Sequence, residues 1–183
     1  GYAENISSKT NPEKNAYYVT SIINSATYMN DIIESTLEIS KAESIKSIVC
    51  ESVDIRECFK EQSDILWADF LKNNIELKVS GDGKISADKR MLSRAVYNIL
   101  LNCLKFSDKE SEVEIKISDK EFSVSNKYSY DINKSASELC MPYVKGDDSR
   151  TGSKGSGLGI SIVKSICDVH GFKLDITLKD SIF

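Results

Sequence analysis

Apolar residues recur every three or four positions from Pro12 to about Ser44. Val19, Ile22, Ala26, Met29, Ile33 and Leu37 form one stripe, which Ile23, Ile32 and Ile39 widen. That period predicts a helix. Asn11 is a candidate N-cap, and Pro12 stands at the first helical position. A helix of about 30 residues is roughly 45 Å long and cannot bury such a stripe by itself, so it wants partner helices.

Beyond Lys46 the two periods alternate. Ile48-Val49-Cys50 reads as a short strand, and Ser52 to Ile55 leads into a helix that ends at Asn73-Asn74. Its expected core face is Ile55, Phe59, Ile65, Leu66, Ala68, Phe70 and Leu71, with Trp67 as the alternative to Ala68. Ile75, Leu77 and Val79 alternate with charged residues as a half-buried strand closed by Gly81-Asp82-Gly83, and Lys84 to Ala87 make another short strand. Residues 88–106 then form a helix with Leu92, Ala95, Val96, Ile99, Leu100, Cys103 and Leu104 on its apolar face. Val113, Ile115 and Ile117, a turn at Ser118-Asp119-Lys120, and the run Phe122 to Asn126 predict a hairpin. Ile160 to Val169 is helical in period, with His170 at its end and Gly171 as the C′ residue. Leu174 and Ile176 make a further strand, and Ile182-Phe183 begins one that stops abruptly. This order predicts an α+β fold, a two-layer α/β sandwich with its helices on one side of a mixed, antiparallel-rich sheet. The segment 127–154 has little periodicity, and loops of that length are usually functional or mobile.

Two stretches carry candidate chemistry. Arg94, Asn98, Asn102 and Lys105 follow one another at offsets of four, four and three, so they share a polar stripe along an otherwise apolar helix. Amides offer oxygen ligands to a hard cation, and amides and lysine offer donors to phosphate oxygens, which makes a plausible half of a magnesium–nucleotide site. The plainer reading is that the asparagines cap a neighbouring loop and Lys105 is solvated. About fifty residues on, Gly155-Ser156-Gly157-Leu158-Gly159 feeds a helix N-terminus. Such a turn presents free N–H groups and a positive dipole end to an anion, and its glycines let phosphate come close. The run is neither a dinucleotide fingerprint nor a P-loop.

Composition narrows the class. With 183 residues, 40% of them apolar, one domain with an extension is expected. A net charge of −4 argues against nucleic acid as the main partner. No run approaches about 18 uncharged apolar residues, and no signal-peptide pattern opens the chain. Cys50, Cys58, Cys103, Cys140 and Cys167 make no Cys-x-x-Cys pair and read as reduced thiols.

The order of the motifs resembles a known family. Asn98-Ile-Leu-Leu-Asn102-Cys-Leu-Lys105-Phe106 resembles the N box of sensor histidine kinases. Met141-Pro-Tyr-Val-Lys145-Gly-Asp-Asp-Ser-Arg150 resembles their F box, and Gly155-Ser156-Gly157-Leu158-Gly159 their second glycine box. The resemblance implies a Bergerat-type ATP-binding fold over residues 46–183, with an ATP lid at about 127–154. It also implies part of a dimerisation and phosphoacceptor hairpin over 1–45. The implied ligands are ATP and Mg2+. Asn102 would hold the metal with Asn98 beside it, and Lys105, Lys145 and Arg150 would meet phosphates. The Gly155–Gly159 backbone would cradle those phosphates, Phe106 would flank the nucleotide, and Asn126 would meet adenine. The implied partners are a response regulator and a second copy of the hairpin. The implied setting is the cytoplasmic domain of a membrane-anchored protein.

Two departures accompany the resemblance. The phosphoacceptor histidine expected before Gly1 is absent from this chain, and His170, the only histidine, is expected to be structural. Where the family carries an aspartate followed by two spaced glycines, this chain has Asn126-Lys-Tyr128-Ser-Tyr130-Asp. An amide accepts more weakly than a carboxylate, and Tyr128 or Tyr130 could block the pocket. A degenerate, non-catalytic dimerisation and response-regulator-binding domain is therefore the alternative. A serine kinase or free-standing ATPase of the same fold is disfavoured by the long helix and by an amide at position 98.

Overall fold

The computed structural model describes residues 12–19, 22, 26, 29, 33, 48–129, 132–144, 157–179 and 182–183. Residues 12–19 are helical, as are Ile22, Ala26, Met29 and Ile33, in line with the expected stripe. Val19, Met29 and Ile33 are exposed. Ile23, Ile32, Leu37 and Ile39 lie outside the described residues.

The first strand is β1 (Glu51–Asp54), which pairs antiparallel with β3 (Lys84–Ala87), Val53 opposite Ile85. A second sheet has the order β2 (Glu76–Ser80), β4 (Glu112–Ser118), β5 (Glu121–Asn126). β2 and β4 run parallel with Val79 opposite Ile115, whereas β4 and β5 form the expected antiparallel hairpin with Ile115 opposite Val124. Parallel neighbours need a long crossover, and here α2 (Lys89–Phe106) lies within that connection. The other helices are α1 (Ile55–Lys72), the short α3 (Ala136–Leu139) and α4 (Gly159–His170).

α1 and α2 start at aspartate caps. Asp54 Oδ1 accepts from the Glu57 amide at 3.1 Å, and Asp88 Oδ1 accepts from the Met91 amide at 3.0 Å, each satisfying an orphan donor of a first turn. Both helices press apolar faces on the sheet. Ile55, Phe59 and Phe70 of α1 and Val96 and Leu100 of α2 meet Val113 and Ile115 of β4 in one fully buried cluster. The Phe59 and Phe122 rings meet edge-on at 5.0 Å, an arrangement their quadrupoles favour.

Three expectations need correction. The strand forecast at Ile48-Val49-Cys50 is displaced, since those residues carry no regular structure and β1 runs from Glu51 to Asp54. Pairing decides this: Glu51 is the first residue that finds a partner, Ala87. The face of α1 is narrower than the pattern suggested. Ile65, Trp67 and Leu71 are each at least 60% exposed and Ala68 is exposed too, while Cys58 joins Ile55, Phe59, Leu66 and Phe70 inside. α1 packs on one side only: Trp67, Ala68 and Leu71 project well away from that line, while Ile65, seven residues on from Cys58, stands at its uncovered edge. Leu174 and Ile176 keep the inward–outward alternation but form no ladder. Among the described residues, pairing in this region is limited to Lys179 with Ile182, Lys127 with Ile182, and Asn126 with Phe183.

Candidate functional site

The site begins at the seam between α2 and α4. Met91 and Ala95 of α2 pack with Leu158, Ile162, Val163 and Ile166 in a second buried cluster. The helices run antiparallel, so the end of α4 meets the start of α2 at His170, and the start of α4 meets the middle of α2 at Asn98 and Asn102. A Cβ placed on Gly159 would lie 3.5 Å from Asn102 Oδ1 and 3.7 Å from Asn98 Oδ1. Two amide oxygens thus converge on the first residue of α4.

Asn98 is buried, and its Nδ2 donates to the Arg94 carbonyl one turn back at 2.9 Å. That bond fixes the amide so that its oxygen faces Gly159. Asn102, Lys105 and Phe106 are half-buried along the same helix. α4 opens at Leu158, which is fully buried and supplies no side-chain cap. The Leu158 carbonyl accepts from the Ser161 hydroxyl and from the Ile162 amide. Among the described residues no side chain caps the first N–H groups of α4, which stand at the positive end of its dipole where an anion is favoured. Paired oxygens beside free N–H groups suit a hard cation shared with phosphate, because Mg2+ takes one or two protein oxygens and completes its shell with phosphate and water.

Before α4 the chain turns sharply. Gly157 has φ of 73°, a left-handed conformation natural to glycine. A Cβ there would meet backbone atoms of Tyr143 and Val144 at 2.8 Å. The contact is a clasp in which the Tyr143 amide donates to the Gly157 carbonyl at 3.0 Å, and Tyr143 is itself held at φ of 66°. Lys145, Arg150, Gly155 and Ser156 lie outside the described residues.

At the other end of α2, Asn126 closes β5 and is buried, 4% exposed. Its backbone N–H and carbonyl both pair with Phe183, at 2.9 and 3.0 Å. Its side-chain Oδ1 accepts from the Cys103 thiol at 3.9 Å. Cys103 follows Asn102 directly, so this contact joins Asn126 to the polar stripe of α2. Burial pushes the Cys103 thiol up to about 12, so it stays a protonated donor. Tyr128 is buried as well. Asp108 ties the neighbouring loop down, its N–H donating to the Lys127 carbonyl at 3.0 Å and its carboxylate accepting from the Ser129 hydroxyl at 2.5 Å. Sequence reasoning missed the Cys103–Asn126 and Tyr143–Gly157 contacts. The first had a signal, since Phe122, Val124 and Asn126 alternate and the third inward position is polar.

Residues 87–181 match the model of the histidine kinase-, DNA gyrase B-, and HSP90-like ATPase family. The chain belongs to this family. Its relatives include the sensor histidine kinase HprS of Escherichia coli strain K12, 30% identical over an alignment of 150 positions that covers 76% of this chain and 32% of HprS. Among solved structures, the histidine kinase AdeS of Acinetobacter baumannii superposes with a TM-score of 0.67 at 12% identity, over 95% of this chain and 82% of that one. Full-length ShkA in complex with AMPPNP superposes with a TM-score of 0.63 at 18% identity, over 93% of this chain and 36% of that one. At those identities the structures show a shared fold. With the family match, they make residues 87–181 an ATPase domain of this family on an α+β scaffold. Among the described residues, no helix is long and apolar enough to cross a membrane.

Proposed function

We propose that residues 46–183 are the catalytic ATP-binding domain of a sensor histidine kinase, and that residues 1–45 belong to its dimerisation hairpin. The observation that carries this reading is the convergence of Asn98 and Asn102 oxygens on the uncapped start of α4. Asn102 would hold Mg2+ with Asn98 supporting it, and the metal would supply charge neutralisation to the phosphates. Lys105, Lys145 and Arg150 meet the phosphates, the 155–159 backbone cradles them, and Phe106 flanks the nucleoside. A histidine nitrogen on a separate helix attacks the γ-phosphorus; the P–N bond forms as the bond to the β–γ bridging oxygen breaks, and ADP leaves. Positioning and charge stabilisation supply most of the rate in such a transfer. The amide of Asn98 cannot take a proton from water, so hydrolysis stays slow and the phosphoryl group waits for a better nucleophile. Relay to a response regulator follows.

The exposed stripe of Val19, Met29 and Ile33 supports a helical partner in a homodimer. A cytoplasmic position in a membrane-anchored protein fits the same reading. The test is calorimetry with Mg–ATP, followed by incubation of the chain with labelled ATP and a separate hairpin domain that carries the acceptor histidine. Binding with label on the added hairpin is expected, and binding without transfer would reduce the assignment to a nucleotide-binding module. One observation favours a second reading, a non-catalytic interaction domain: the base end of the site carries an amide and a buried Tyr128. Absence of any binding heat would select it.

A further inference from the structure

The described residues hold three buried polar side chains, Asn98, Asn126 and Ser161. Two donate within the fold, Asn98 Nδ2 to the Arg94 carbonyl and the Ser161 hydroxyl to the Leu158 carbonyl. Asn126 differs. Its oxygen takes the Cys103 thiol, its backbone is used by Phe183, and its amide nitrogen makes no hydrogen bond among the described residues. That nitrogen is not among the fully enclosed unpartnered atoms, so its N–H groups are open to a group that can accept from them.

The location says what arrives. On the reading that the start of α4 and Asn102 hold phosphates, the nucleoside extends along α2 beyond Asn102. Cys103 and Asn126 stand there together. A carboxylate at this place would only accept, which suits the amino group of adenine and repels a carbonyl. An amide both donates and accepts. With its oxygen on Cys103 it offers N–H to a base carbonyl. A thiol is a weak donor, so turning the amide over costs little and offers oxygen to a base amine. Either edge of a purine can thus be matched: N6–H and N1 of adenine, or O6 and N1–H of hypoxanthine.

We infer that Asn126 makes the base pocket indifferent to a 6-amino or 6-oxo purine, so that the site binds inosine triphosphate alongside ATP. This rests on the nucleotide-binding reading above.

The test is paired titration calorimetry of the chain with Mg–ATP and Mg–ITP, which differ only at the edge Asn126 would read. ITP is expected within about fivefold of ATP, whereas a site built to accept from the amine rejects the analogue that lacks it by far more. The Asn126→Asp variant is expected to raise the preference for ATP to about tenfold or more, because the acceptor becomes charged and the donor is lost. A greater than fivefold preference for ATP in the unaltered chain overturns the inference while leaving nucleotide binding intact. So does an ATP-to-ITP ratio that Asn126→Asp leaves unchanged. Binding of neither nucleotide overturns the underlying reading as well. The unaltered chain decides the matter even if the variant does not fold.

Discussion

The backbone N–H of Asp88 donates to Nε2 of His170 at 3.0 Å, across 82 residues of sequence. The other ring nitrogen, Nδ1, lies 2.8 Å from the Ile166 carbonyl, which as an acceptor fixes the proton on Nδ1. The ring stacks on Phe172 at 5.0 Å, and Gly171 ends α4 at φ of 70°. His170 therefore locks the end of α4 to the start of α2, and both of its nitrogens are occupied. His170→Ala is expected to destabilise the fold by about 1 kcal/mol, the scale of one lost hydrogen bond at a partly buried site, as measured by urea unfolding. No label from ATP should appear on His170, and acid-labile phosphate at that residue would overturn its structural assignment.

Magnesium dependence separates the two asparagines. Asn102→Ala removes a proposed metal ligand and is expected to weaken Mg–ATP binding by about 1–3 kcal/mol. It should also flatten the response of affinity to magnesium concentration. Unchanged affinity and unchanged dependence would assign the metal elsewhere.

Two glycines two positions apart should fail differently. A methyl on Gly159 meets only ordinary van der Waals contacts with the Asn98 and Asn102 oxygens. Gly159→Ala should thus leave the melting temperature near that of the parent while weakening ATP, because it fills the space between those oxygens and the ligand. At Gly157 the left-handed backbone and the 2.8 Å approach of residues 143 and 144 leave no room. Gly157→Ala should destabilise the fold by about 1–3 kcal/mol, and a parent-like melting curve would refute the clasp.

Alkali should unfold the domain through its buried thiols. Burial raises Cys103 from 9.0 to about 12, and Cys58 is raised by the same cause. A raised folded value means that the unfolded chain loses its thiol proton first. The stabilisation is therefore whole below pH 9.0 and is lost as pH rises toward about 12. Urea midpoints should fall across that window, and Cys103→Ala should make the fall shallower. In native protein, alkylation should reach exposed Cys50 well before Cys58 or Cys103.

The elements read most cleanly from sequence were those whose pattern and packing coincide. α2 announced itself because Leu92, Ala95, Val96, Leu100 and Cys103 are both periodic and buried. The hairpin of β4 and β5 did so because alternation and turn chemistry agreed. α1 read less well, since Ile65, Trp67 and Leu71 are apolar yet face water, and periodicity cannot tell how much of a helix its neighbours will cover. Strand limits were lost where pairing decides them, as at Glu51 and around Leu174. The candidate site was half legible. The stripe of Asn98 and Asn102 and the glycines were visible as motifs, but their meeting at Gly159 depends on the antiparallel seam of α2 and α4. The thiol contact of Asn126 joins residues 23 apart, and spacing alone could not reveal it.

The clasp between Tyr143 and Gly157 has a bearing on how the intervening segment can vary. It ties the two ends of that segment together through main chain alone, with no titratable side chain in the bond. Acid, alkali and salt have little purchase on it, and residues inserted or removed between its ends need not shift the start of α4. Because closing a loop costs only slightly more as the loop lengthens, the segment can change in length while the turn at Gly157 keeps its shape.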